Sequence, residues 1–208
     1  MNEELRSYIY EEILPRYASF DAAHQMDHAL WVINDSLHLA QYYDVDADMV
    51  LVVAAYHDLG LKYGREEHHI HSGRILMEDA RLKEWFADDQ LHVMRDAIED
   101  HRASHNAEPR SVYGRIVAEA DRQIDKDVTL RRTVQYGLSR YPELDREGQY
   151  ERACEHLRNK YGENGYLKLY IPQSQNAMRL AEFRALISSP RELRSAFDAI
   201  YDEEIKKK

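Results

Sequence analysis

An adjacent pair, His57 and Asp58, closes the most apolar helix-forming stretch of the chain, MVLVVAAYHD, just before Gly60. Neighbouring residues on an α-helix point about 100° apart, so one ion takes both only where the helix ends and the side chains converge. A helix C-terminus also carries partial negative charge that favours a cation, and a buried carboxylate without a partner is costly. Read alone, the pair is equally well explained by a surface turn with a C-capping histidine. Three more residues shift that balance. Leu91, Met94, Ile98 and His101 recur at spacings of three and four, placing His101 on the buried face of its helix. Val117, Asp121 and Ile124 repeat the pattern and set a carboxylate among apolar neighbours, where an unpaired Asp is rare. His28 lies one turn before Val32, beside Ala29 and Leu30. Each of these alone fits a satisfied core polar group better than a ligand; together, on four helices, a shared metal is the simpler account.

The elements that must position them are helices. Helical periodicity runs nearly end to end, with no convincing alternation of apolar and polar residues between turn signals, so the fold class is all-α. A first helix carries Leu5, Ile9 and Ile13 until Pro15 interrupts it, and a second carries Ala29, Ile33, Leu37 and Ala40. A third starts at the acidic cap region Asp46 to Asp48 and runs to Gly60, a C-terminal stop. Further helices are expected at about Glu66 to Ala80, Asp89 to Arg102, Ser111 to Ile124, Asp127 to Tyr141 and Arg146 to Tyr161. Two more follow the loop YGENGYLKLYIPQ, the last opened by Ser189, Pro190 and Glu192 as N-cap, N1 proline and capping-box partner.

The 208 residues suit one domain, with a metal-binding core at about 22–140 and a helical extension at about 141–208 that packs on it. The longest apolar run, Met49 to Tyr56, is far short of the roughly 20 residues that cross a bilayer, and the first residues are acidic where a signal peptide is basic. No membrane association is expected. The single cysteine, Cys154, forms neither an internal disulfide nor a thiolate site, which places the protein in the cytoplasm and leaves any metal to nitrogen and oxygen donors. A net charge of -10 repels nucleic acid polymers, so a small-molecule partner is expected, and self-association into a homo-oligomer is allowed.

His28, the His57–Asp58 pair and Asp121, in that order on successive helices, resemble the signature of the HD domain superfamily of metal-dependent phosphohydrolases over roughly residues 22–140. Two-metal members add two histidines between the pair and the last aspartate. His68 fits the first, followed by Ser72, Gly73, Ile75 and Leu76 in the family's frame, with His69 and His71 close by as alternatives; His101 fits the second. The resemblance implies an HD-type helical bundle with additional C-terminal helices. It implies one divalent ion on His28, His57, Asp58 and Asp121 and a second on His68 and His101, with Asp58 bridging as the catalytic carboxylate. Two ions about 3.5–4 Å apart generate a hydroxide at neutral pH and clamp a phosphoryl group. Histidine and carboxylate ligands suit Fe, Mn, Co, Ni or Zn better than Mg or Ca.

Many relatives place a phosphate-facing lysine three positions after the His-Asp pair. Here HDLGLK puts Leu61 there and Lys62 one place later. Lys62, Arg65, Arg74, Arg102 and Arg122 are the candidate substrate contacts, because a guanidinium matches phosphate bidentately; taken singly, each arginine is also explained by a surface pair with Glu66, Glu67, Glu99 or Asp125. His24, Asp27, Glu67 and Asp100 flank the proposed ligands, where a carboxylate can orient an imidazole. Arg131 and Arg132 lie downstream of Asp121, and Tyr141, Tyr150, Tyr161, Tyr166 and Tyr170 either wall a pocket or pack helices, packing being the simpler reading. The function expected is hydrolysis of a small phosphorylated metabolite, first of all a nucleotide, by metal-activated hydroxide. A di-iron oxygenase and a non-catalytic metal- or nucleotide-sensing module use the same ligand set and stand as alternatives.

Overall fold

The computed structural model describes residues 1–20, 26–104 and 107–207. Among the described residues the periodicity is realised as α-helices joined by short 3-10 and π turns, with no strand. His24, weighed above as a neighbour of His28, lies outside the described residues. The chain divides into two compact units, Met1–Arg122 with Leu169–Ser174, and Gln123–Lys168 with Gln175–Lys208. No helix among the described residues is long and apolar enough to cross a membrane.

The first unit opens with α1 (Glu3–Tyr8), capped by the Asn2 side chain, which accepts the amide hydrogens of Glu4 and Leu5. Pro15 does not end this helical run. It sits in the first turn of a 3-10 segment (Leu14–Ser19), where its missing N–H is not needed, so the backbone changes helix type and continues. In α2 (Met26–Ala40), Ala29, Val32, Ile33, Leu39 and Ala40 form the buried stripe. The Asp46 carboxylate caps α3 (Ala47–Tyr56) by accepting the Asp48 amide at 2.8 Å. Met49 to Tyr56 are all buried, as a helix apolar on every side requires, and each large side chain so buried contributes roughly 1.5–3 kcal/mol. This central helix packs against α2, α5 (Asp88–Asp100) and α6 (Val112–Asp121), while α4 (His68–Glu78) packs on α5 and on the 3-10 turn Leu59–Tyr63.

Gly60 does more than stop a helix. A Cβ there would lie 2.0 Å from the His68 carbonyl oxygen and 2.6 Å from the Ser72 nitrogen, so only glycine lets the first turn of α4 cross this backbone. The Gly60 amide donates to Ser72 Oγ at 2.8 Å and locks the crossing. α4 is shorter than the periodicity suggests, because Asp79 leaves the helix and its carboxylate accepts the Arg81 amide at 3.1 Å, opening an unanticipated 3-10 turn, Ala80–Glu84.

The second unit holds α7 (Lys126–Arg140), α8 (Arg146–Tyr161), α9 (Asn176–Ile187) and α10 (Pro190–Ile205). Asp125 and Asp145 cap α7 and α8, and Leu130, Val134, Leu157, Phe183 and Phe197 are buried. Pro190 opens α10 as expected, but the Ser189 side chain makes no capping bond: the proline's fixed φ starts the helix without it. Arg131 pairs with Glu203 and Glu204, each at 2.8 Å, and Arg132 is exposed.

Candidate metal centre

His57 keeps helical angles at the end of α3 (φ -52°, ψ -37°), whereas Asp58 leaves them (φ -110°, ψ 2°). That single change of backbone turns the two adjacent side chains onto one point. Asp58 Oδ2 lies 3.4 Å from His57 Nε2 and 3.7 Å from His28 Nε2 of α2. Its other oxygen, Oδ1, lies 3.4 Å from His68 Nε2 of α4 and 3.6 Å from His101 Nε2 at the end of α5. Asp121, the last residue of α6, brings Oδ1 to 3.2 Å from His28 Nε2 and 3.8 Å from His57 Nε2. Among the described residues, two sets of side chains could each hold a metal ion: His28, His57 and Asp58, and Asp58, His68 and His101.

The tautomers follow from what lies behind each ring. His57 Nδ1 is 2.7 Å from the Ala54 carbonyl, His68 Nδ1 2.8 Å from that of Arg65, and His101 Nδ1 2.6 Å from that of Ile98. A carbonyl only accepts, so Nδ1 of each ring carries a proton and Nε2 faces the cluster, the arrangement found behind metal-ligating imidazoles. The Nε2 atoms of His57 and His28 are 3.3 Å apart, and those of His68 and His101 3.2 Å. Two nitrogen lone pairs at that separation repel unless a proton or a cation lies between them. The donor set therefore fits a divalent transition metal.

The buried charges of the cluster shift one another. Burial works against charge on His57, yet Asp58, Asp121 and the Ala54 carbonyl outweigh it and lift the imidazole to about 9. Burial, then the neighbouring charge of His101, pushes His68 down to about 4. Burial also opposes charge on Asp58, but His57 and His101 hold its carboxyl well below the usual range. Asp121 is lowered too, where the His28 hydrogen bond and the His57 charge overcome burial.

Several supporting groups carry no signal in a linear reading. Tyr17, fully buried, donates its hydroxyl hydrogen to the Ala55 carbonyl at 2.9 Å and accepts the Asp58 amide at 3.3 Å. Glu119, also fully buried and one half-turn before Asp121, accepts the Tyr170 amide at 2.7 Å and the Ser174 hydroxyl. In the sequence Glu119 is one acidic residue within the apolar run of α6, and nothing there marks its partners.

The flanking residues separate clearly. His71 packs at a tilt against Tyr63 with ring centres 4.9 Å apart, and the His69 ring is 5.6 Å from that of His68, so of the three neighbours His68 is the one whose Nε2 meets Asp58 and His101. Asp100 does not orient an imidazole; it is buried against Arg110, accepting from its amide at 2.7 Å and its Nε at 3.0 Å. Asp27 and Glu67 are exposed. Lys62 and Arg74 both lie over the exposed Tyr63 ring, at 4.7 and 5.7 Å, and Arg74 pairs with Glu78. Arg65 is exposed, and Arg102 donates to the Glu66 carbonyl. Arg122 is buried, with its guanidinium 5.0 Å over the Tyr170 ring.

Residues 26–123 match the HD domain family model. The chain carries an HD domain. All six residues of the cluster fall inside the matched segment. A solved structure described as a predicted HD superfamily hydrolase from an uncultured Thermotogales bacterium is also similar, at 19% identity over 75% of this chain and 87% of that one, with a TM-score of 0.49. The search of curated proteins gives no match. The HD domain supports membership of a metal-dependent phosphohydrolase family, and its His and Asp groups could bind metal.

Proposed function

We propose that the protein is a metal-dependent phosphohydrolase acting on a small phosphorylated metabolite, with nucleotides the first class to test. The observation that carries this reading is the split use of Asp58, whose two carboxylate oxygens face different pairs of histidines. His28, His57, Asp58 and Asp121 would hold one divalent ion, and Asp58, His68 and His101 a second. Bound ions of this kind supply a water-derived nucleophile at neutral pH and neutralise charge developing at phosphorus. The chain's own contribution is placement. The carbonyls of Ala54, Arg65 and Ile98 hold three imidazoles in one tautomer, and the α3 core excludes water behind them. Arg122, Arg102, Arg65, Arg74 and Lys62 are the cations proposed to meet the substrate's phosphate. The single, buried cysteine is in keeping with a cytoplasmic setting.

The test is metal analysis of protein purified without chelator, followed by anaerobic screening of the loaded protein against nucleotides and simpler phosphoesters. Release of phosphate or pyrophosphate without oxygen, lost on chelation and restored by a transition metal, is the expected result. Turnover that requires oxygen would instead identify an oxygenase, and tight nucleotide binding without turnover a sensor.

A further inference from the structure

Leu169–Ser174 lies outside the segment that matches the HD family, yet it belongs to the same compact unit as the metal cluster. Three independent contacts fasten it there. Glu119 accepts the amides of Tyr170 at 2.7 Å and Ile171 at 3.4 Å on Oε2 and the Ser174 hydroxyl on Oε1. Ile171 is 3% exposed and joins the hydrophobic core. The Tyr43 hydroxyl donates to Gln173 Oε1 at 2.8 Å.

What this strap delivers is the Tyr170 ring, set 5.0 Å from the guanidinium of Arg122, the residue next to Asp121. Arg122 is only 6% exposed. One of its terminal nitrogens donates to the Ala118 carbonyl, while Nε has no hydrogen-bond partner among the described residues. A guanidinium buried this far is costly unless an opposite charge or a full set of acceptors meets it; burial outweighs the neighbouring Asp121 and Glu119 charges here, and Nε stays without an acceptor among the described residues. With one face against an aromatic ring and one corner tied to α6, its remaining N–H edge has a fixed direction.

We infer that Leu169–Ser174 is a specificity wall of the HD site, that Glu119 is the positioning residue clamping it to α6, and that Tyr170 braces Arg122 to take an anionic phosphate group. The inference rests on the phosphohydrolase reading and deepens it, since it assigns substrate recognition to chain beyond the family-matched segment. The Tyr170 hydroxyl plays no part in it; the ring face does the bracing.

Inorganic phosphate is the probe, titrated into metal-loaded full-length protein by calorimetry, with bound metal per chain measured in every variant. Tyr170→Ala raises the phosphate Kd about tenfold, the scale of one loosened charge-assisted contact, at unchanged metal content. Tyr170→Phe stays within about twofold of wild type. Glu119→Gln shifts Kd in the same direction and increases amide hydrogen exchange across 169–174, because an uncharged amide with one acceptor oxygen cannot hold all three donors. A role confined to folding stability would lower the unfolding midpoint of these variants and leave the Kd of the folded protein where it was. Wild-type Kd in Tyr170→Ala overturns the inference and leaves the phosphohydrolase reading standing, and so does loss of metal in step with loss of phosphate binding. Absence of phosphate binding by the wild type under every transition metal removes both.

Discussion

The hydroxyl of Tyr17 accepts the backbone amide of Asp58 at 3.3 Å while donating to Ala55 at 2.9 Å, so one buried phenol braces the point where α3 ends and Asp58 turns toward the histidines. Tyr17 reaches that position because the backbone continues as a 3-10 turn past Pro15. Tyr17→Phe leaves a carbonyl and an amide without this partner at a buried site. We expect a loss of about 1–3 kcal/mol in denaturant unfolding and a metal affinity weakened about tenfold, the scale of a lost outer-sphere contact.

On the proposed two-ion reading, substitutions at the cluster sort by the ion each residue would hold. Asp58→Ala and His57→Ala each strongly reduce bound metal, whereas His68→Ala lowers the content from two ions toward one, read by elemental analysis. Should His69→Ala or His71→Ala have that effect in place of His68→Ala, the assignment of His68 is wrong while a two-ion site survives.

Protonation of His57 opposes metal uptake. Its imidazole is lifted from the ordinary 6.5 to about 9, so at neutral pH the metal-free protein carries a proton that a ligating nitrogen must give up. Metal binding at pH 7 therefore releases protons, and apparent affinity rises with pH until about 9, measured by calorimetry in buffers of different ionisation enthalpy. The same shift stabilises the metal-free fold: the contribution is complete below 6.5 and disappears as pH rises through about 9. His68, depressed to about 4, acts in the opposite sense, its contribution being present above 6.5 and lost as pH falls toward 4.

Gly60→Ala tests the crossing of α4 over the turn that follows Asp58. The added carbon meets backbone atoms at 2.0 and 2.6 Å, so α4 must move and carry His68 with it. Thermal unfolding shifts by the equivalent of about 1–3 kcal/mol or more, and the ion served by His68 and His101 is lost before the other.

The helices and their buried faces are legible in the sequence because amphipathic periodicity is a local property. So is the ordered set His28, His57, Asp58 and Asp121, and with it the HD resemblance that the family match over 26–123 supports. The cap at Asp46 follows from short-range hydrogen bonding in the same way. The choice among His68, His69 and His71 is different in kind. All three lie in the first turn of α4, and only the crossing at Gly60 and the packing on α5 bring His68 Nε2 to Asp58 and His101. Tyr17 and Glu119 are hidden, and Tyr170 is legible only as one of several tyrosines that wall a pocket or pack helices, since Tyr17 meets Asp58 across 41 residues and Glu119 meets Tyr170 across 51, and no spacing rule connects them. Sequence spacing determines which residues share a helix face. Which faces meet, and which oxygen of Asp58 each histidine finds, is decided only when long-range packing closes the unit around α3.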